Sequence, residues 1–274
     1  MNNDSAATNH LLLTIEHLPP MLDTALLLAA AFVAGALNAV AGGGSLVSFP
    51  ALVAAGYPSK VANVTNSVAL WPGYLGGTFG YRAEVVDQRT RVLALTLPSI
   101  AGAVLGAIIL LKTPQSAFDL IVPFLILFAC GLMAVQDRLS RFAANHRLGA
   151  LHADHVPFTL VASVFLLSIY GSYFGAGLGI LTLAVLGILL PDDIQRSNAL
   201  KGFLSLVING AGVLYFAVFG PVRWAPAAVM AVGALAGGYL GVGLARRLGK
   251  RWLRLAVISY GVIVALVLLW RVLA

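Results

Sequence analysis

Apolar residues run along this chain in ten blocks, roughly 22–41, 43–56, 61–80, 92–111, 118–136, 158–175, 177–190, 197–219, 224–245 and 253–273. Eight of them approach or reach the ~20 residues that a helix needs to cross a bilayer, so they are expected to be membrane-spanning helices. The other two, 43–56 and 177–190, are too short for that. Each follows a glycine cluster: Gly42-Gly43-Gly44 before the first, Gly175, Gly177 and Gly179 around the start of the second. Glycine in a helix interior costs roughly 1 kcal/mol relative to alanine, so three in a row stop a helix. The pattern predicts two half-helices, each entered through a glycine turn inside the membrane, as backbone at that depth permits only where protein or a polar cavity surrounds it.

The two clusters belong to a repeat. A shift of 134 residues lays VAGGGSLV (40–47) over FGAGLGIL (174–181), a shift of 132 lays Thr65-Asn66 over Ser197-Asn198, and a shift of 135 lays GAVLG (102–106) over GGYLG (237–241). The order and near-constant offset imply two related halves. The expected organisation is an N-terminal extracytoplasmic segment 1–21, a first membrane repeat 22–136, a cytoplasmic linker 137–157 and a second repeat 158–274. The beginning has no Lys or Arg ahead of its apolar part and does not read as a cleaved signal peptide.

Charge orients the blocks. Cytoplasmic loops are enriched in Lys and Arg. Placing Arg82, Arg89 and Arg91, Arg138, Arg141 and Arg147, Arg196, and the Arg246–Arg254 group inside puts twelve of the 17 basic residues there. Lys60, Lys112, Arg223 and Arg271 fall outside, with both termini, and Lys201 is left over. This closes only if each glycine cluster turns the chain back on itself. The expected fold is therefore an all-α polytopic membrane protein with two inverted-topology repeats. Each repeat has a glycine-broken re-entrant helical hairpin plus three transmembrane helices, the usual build of secondary transporters with a site at the repeat interface.

Composition agrees and excludes alternatives. The chain is 60% hydrophobic and 10% charged, against about 25% charged in soluble domains. Its +7 formal charge sits in loops and does not point to nucleic acid. One cysteine, Cys130, excludes a disulfide framework within the chain. A half-helix that starts after a turn presents unpaired N–H groups and a positive dipole end, and two brought together would cradle a small anion. Gly43, Gly44 and Ser45, with Gly177 and Gly179 opposite, are placed there. Asn38, Thr65, Asn66, Ser172 and Asn198 are candidate hydrogen-bond donors, although capping or helix packing is an equal alternative for each. Lys201 reads as the one charge inside a span, a functional-site signal unless it snorkels to the surface. The scattered glycines Gly102, Gly106, Gly237 and Gly241 read as close helix packing. All ten acidic residues fall in loops or at span ends, and no histidine lies in a span. No enzyme, metal site or cofactor is therefore expected; His146, His152, His155 and Asp154 read as a solvated loop.

The stretches GALNAVAGGGSLVSFPALVAAGYPSKVANVTNSVAL and FGAGLGILTLAVLGILLPDDIQRSNALKG resemble the sulfite exporter TauE/SafE family over about 25–273. The second cluster departs from the family's commoner run of consecutive glycines. The resemblance implies a multi-pass permease of the bacterial inner membrane that exports sulfite, a sulfonate such as sulfoacetate, or another small organic anion. The partners it implies are the anion and the lipid bilayer, with a homo-oligomer open. An importer or channel on the same scaffold, and a non-transporting membrane assembly partner, are the alternatives.

Overall fold

The computed structural model describes residues 20–40, 43–145, 156–190, 192, 194–248 and 250–273. Among these, every regular element is a helix: α1 (Pro20–Val40), α2 (Ser45–Ala54), α3 (Ser59–Gly80), α4 (Arg82–Asp87), α5 (Arg89–Lys112), α6 (Gln115–Asn145), α7 (Phe158–Tyr173), α8 (Leu178–Leu189), α9 (Ile194–Phe219), α10 (Trp224–Leu248) and α11 (Lys250–Leu273). The ten apolar blocks each become a helix. The eleventh, α4, folds in what the sequence presents as a basic loop, and α6 continues to Asn145 through the start of the polar segment expected to link the halves.

Local chemistry sets the ends. Pro20 opens α1, where a missing N–H costs nothing, and Asp23 in its first turn faces the positive dipole end. The short α2 is closed by Gly56 at φ 84°. There the Tyr57 N–H donates to the Leu52 carbonyl and the Gly56 N–H to Val53, a pairing that satisfies carbonyls a helix end otherwise strands. Gly175, at φ 76°, ends α7 similarly, its N–H donating to Tyr170 O at 3.1 Å.

Among the described residues, four helices are long and apolar enough to cross a membrane: Arg89–Lys112, Gln115–Leu139, Gln195–Phe219 and Arg254–Val272. Their outer faces carry exposed Leu93, Leu97, Phe124, Leu214 and Ile263, as a lipid-facing surface requires. α3 is as long but more polar, and is enclosed by protein instead. From Ser59 to Pro72 no residue is exposed, and the same holds on α9 from Ser197 to Gly212. α3 and α9 pack on each other at the centre. Around them lie the pairs α1 with α10, α5 with α7 and α6 with α11.

Glycine makes these pairs close. A Cβ on Gly237 would overlap the Phe32 carbonyl, and one on Gly102 the Phe165 carbonyl. Gly35 meets Ala234 and Gly106 meets Ile169 in the same way. Two larger cores and a small one fill the interior among the described residues. One joins α1, α2, α3 and α6 through Leu37, Leu46, Val64 and Met133; another joins α5, α7, α8 and α9 through Leu95, Leu160, Leu178 and Leu204; Ala34, Leu70 and Ala234 make the third.

Side-chain and loop contacts divide the connections between two ends. Lys60 donates to Leu111 O, Gln115 bonds Ser59 and Asp119, and the Arg223 N–H donates to Thr65 Oγ1. The opposite ends of α5 and α9 hold Arg91 and Arg196 together through Asp192. Overpacking a close contact costs typically about 1–3 kcal/mol. Gly102→Ala and Gly237→Ala are thus each expected to lower the thermal midpoint in detergent. Gly73→Ala, where a Cβ meets nothing within 4 Å, is expected to leave it unchanged or raise it.

Candidate functional site

Two left-handed glycines define the centre of the molecule. Gly43 has φ 86° and Gly177 φ 80°, and they stand 134 positions apart, at the offset of the sequence repeat. α2 begins two residues after the first and α8 one residue after the second. Both turns rest on the middle of α6. Gly43 lies against the methyl of Met133, and a Cβ at Gly177 would come within 3.2 Å of Leu132 Cδ1 and 3.8 Å of Ala129. The rings of Phe49 on α2 and Phe174 in the second turn meet edge to face at 5.6 Å. Asn63 Nδ2 on α3 donates to Tyr173 O at 2.9 Å. The two turns, α3 and α6 thus share one neighbourhood. Gly42 lies outside the described residues.

The turns differ in chemistry. At the first, Asn38 Oδ1 accepts from the Gly44 N–H at 2.8 Å. The sequence reading has Asn38 donating toward a ligand; in the structure its carboxamide oxygen holds the turn, by the same rule that favours such side chains at helix starts. Gly44 is needed for approach, since a Cβ there would overlap Ala34 O. Ser48 Oγ donates back to Gly44 O at 3.2 Å, while Ser45 lies half-buried in the first turn of α2. At the second, no side chain caps α8, and the nearest heavy atom to a Cβ on Gly179 is Lys201 Cδ at 3.8 Å. Lys201 Nζ donates to Asn198 Oδ1 at 3.1 Å. Lys201, Asn198 and Gly179 therefore lie together at the start of α8.

Asn66 is 2% exposed, and its Oδ1 has no hydrogen-bond partner. A buried unpaired polar group costs about 1–3 kcal/mol and calls for an explanation such as a ligand. Two candidates are engaged elsewhere. Thr65 Oγ1 accepts from the Arg223 N–H at 3.1 Å, at the α9–α10 connection. Ser172 Oγ donates to Ile208 O at 3.5 Å and sits against Gly212, so both hydroxyls join helices.

Sequence reasoning missed Ser205 and Asn209. They continue the Asn198–Lys201 stripe on α9 at spacings of three and four, one helical face, and Asn209 Nδ2 donates to Ser205 O at 2.8 Å. Helical periodicity within block 197–219 carries that signal. It also misread Arg91 as a loop charge, leaving Lys201 alone in the membrane. Arg91 belongs to the first turn of α5 and is 2% exposed, because Asp192 reaches it from the α8–α9 connection. Among the described residues no three His, Cys, Asp or Glu side chains gather to hold a metal; the histidines of the 146–155 segment lie outside them.

Short helices opening at glycine turns, inside a bundle with helices long and apolar enough to cross a membrane, mark a polytopic membrane protein. The chain belongs to the sulfite exporter TauE/SafE family, whose model matches residues 27–268. It is 27% identical over 252 residues to the probable membrane transporter protein ORF9 of Sinorhizobium sp, covering 89% of this chain and 92% of that one. It is 28% identical to a probable membrane transporter protein of Haemophilus influenzae, over 85% and 89% of the two chains. To the probable membrane transporter protein YfcA of Escherichia coli K12 it is 26% identical, over 88% and 87%. No solved structure matches it.

Asn66 offers a test that separates a ligand role from a structural one. Asn66→Leu removes a buried amide whose oxygen is unpaired; with a ligand role it is expected to hold or raise the thermal midpoint while abolishing transport. Gly177→Ala, forced to keep a left-handed backbone, is expected to lose about 1–2 kcal/mol in the same unfolding measurement.

Proposed function

We propose that the protein exports a small sulfur-containing anion, sulfite or an organosulfonate, across the bacterial inner membrane by alternating access. The observation that carries this reading is the meeting of two half-helix turns on the middle of α6, with Lys201 beside one of them. One positive charge, the uncapped start of α8 and the amides of Asn66 and Asn198 favour an anion stripped of water. The family description adds the sulfur oxyanion.

Two inverted repeats underlie the mechanism. Exchanging the halves turns the pair α1 with α10 into α7 with α5, and α3 with α10 into α9 with α5; both members of each exchange are packed pairs. The glycine contacts exchange too: Gly237 on Phe32 corresponds to Gly102 on Phe165. The end that carries Arg91, Arg196 and Arg254 then faces the cytoplasm by the positive-inside rule, and both termini face the periplasm. Rocking one half on the other exposes the Lys201 site to each side in turn.

Counterflow of labelled sulfite and of labelled sulfoacetate in proteoliposomes tests the reading. Saturable counterflow of one of them is expected, with Lys201→Ala reducing it at least about tenfold, the effect of losing ~1.4 kcal/mol of binding, and Lys201→Arg retaining part. Unimpaired counterflow in Lys201→Ala would remove Lys201 from the site. Absence of flux for both anions in folded protein would favour a different anion or the assembly-partner role.

A further inference from the structure

The first turns of α5 and α9 are joined by a network of charges that the anion site does not use. Arg91, 2% exposed, pairs with Asp192, and Asp192 also meets Arg196 Nε at 3.3 Å. Arg196 extends to Asp87 at the end of α4. Gln88, 3% exposed, fastens the group: its Nε2 donates to Arg196 O at 3.0 Å and to Glu84 O at 3.1 Å, and its Oε1 accepts from Arg91 Nη1 at 3.3 Å. Apart from the Arg196–Asp192 pair and the bonds of Gln88 to Arg91 and Glu84, every link joins the α4–α5 corner to the α8–α9 corner. Those corners belong to different halves of the chain.

Lys201 lies five residues further along α9 from Arg196, a rise of about 7.5 Å. α9 has no exposed residue over that interval, so Lys201 is covered from this end, and the network lies at the mouth of that covered stretch. The opposite end is held differently. There Ser59, Gln115 and Asp119 bond to one another within one half, and the bonds between halves described above are uncharged, from the Arg223 N–H to Thr65 and from Asn63 to the Tyr173 carbonyl. A buried ion pair is a poor source of net stability, because desolvation offsets attraction, and its best-attested use is to fix a register or a switch.

We propose that Arg91, Asp192, Arg196, Asp87 and Gln88 form the closed gate of the transport path at the basic-loop end, and that these contacts part when the Lys201 site opens to that side. The gate rests on the transporter reading and on a site beside Lys201, not on the identity of the anion.

Thiol accessibility tests it without any substrate. Gly202 neighbours Lys201, and a Cβ there meets nothing within 4 Å. Gly202→Cys is made together with Cys130→Ala, which removes the chain's one native thiol. Its reaction with a membrane-impermeant maleimide is timed in vesicles of each orientation. With the network intact, labelling from the basic-loop face is expected to be slow. Adding Asp192→Asn is expected to raise the rate from that face at least about tenfold and leave the opposite face unchanged, while Asp192→Glu keeps it slow. A rate that does not change, or that rises equally from both faces, overturns the gate, the second result indicating general loosening. Should Asp192→Asn fail to reach the membrane, Asp87→Asn, which removes the 62%-exposed arm, is expected to raise the rate from the same face about threefold or more; no change there also overturns it. An inert anion assay alongside sided labelling would leave the gate standing and reject only the substrate.

Discussion

A backbone that interrupts its helices at membrane depth must find partners for the N–H and C=O groups it releases, because hydrocarbon supplies none. Much of this molecule answers that one requirement. Asn38 turns back to take the Gly44 N–H, Asn63 reaches across to the Tyr173 carbonyl, and the Tyr170 hydroxyl donates to Ala176 O. The surrounding architecture follows: α3 and α9 are enclosed because their amides cannot face lipid, and the helices with apolar outer faces form the perimeter. A broken helix thus dictates where polar residues lie in an otherwise apolar chain.

The two turns are alike in backbone and unlike in chemistry. Both use a left-handed glycine and both sit on α6, yet one is closed by its own asparagine while the other opens toward Lys201. On the proposed repeat, the shared turn would be the scaffold, and divergence at a few positions would give it polarity. Ala69, which a shift of 132 places opposite Lys201, and Ser172, which a shift of 134 places opposite Asn38, are where the halves have parted.

How much of this was legible in the sequence depended on the range of the interaction. Block lengths and glycine clusters are local, so the order of helices, the two short ones and the turns at Gly43 and Gly177 could be read directly. Lys201 stood out because a charge in an apolar block is expensive wherever it ends up. Asn38, Ser172 and Thr65 stood out as polar residues, but the backbone groups they meet in the fold did not, since an amide or hydroxyl serves a ligand and a backbone group equally well and only distance shows a partner. Arg91 was hidden for a related reason. Its partner Asp192 is 101 positions away, and an arginine at a block edge looks like any other loop charge until the fold brings that carboxylate to it.

The lengths of the perimeter helices carry a further consequence. Between Asp119 and Gln136 the apolar run of α6 has 16 residues, about 24 Å of helix, against a hydrocarbon core of about 30 Å. Such a run must thin the lipid around it or oblige its polar flanks to reach for the interface, and the amount varies with acyl-chain length. Both glycine turns are seated on the middle of this helix. Hydrophobic mismatch at the rim is thereby carried to the centre, and bilayer thickness becomes a variable acting on the site itself.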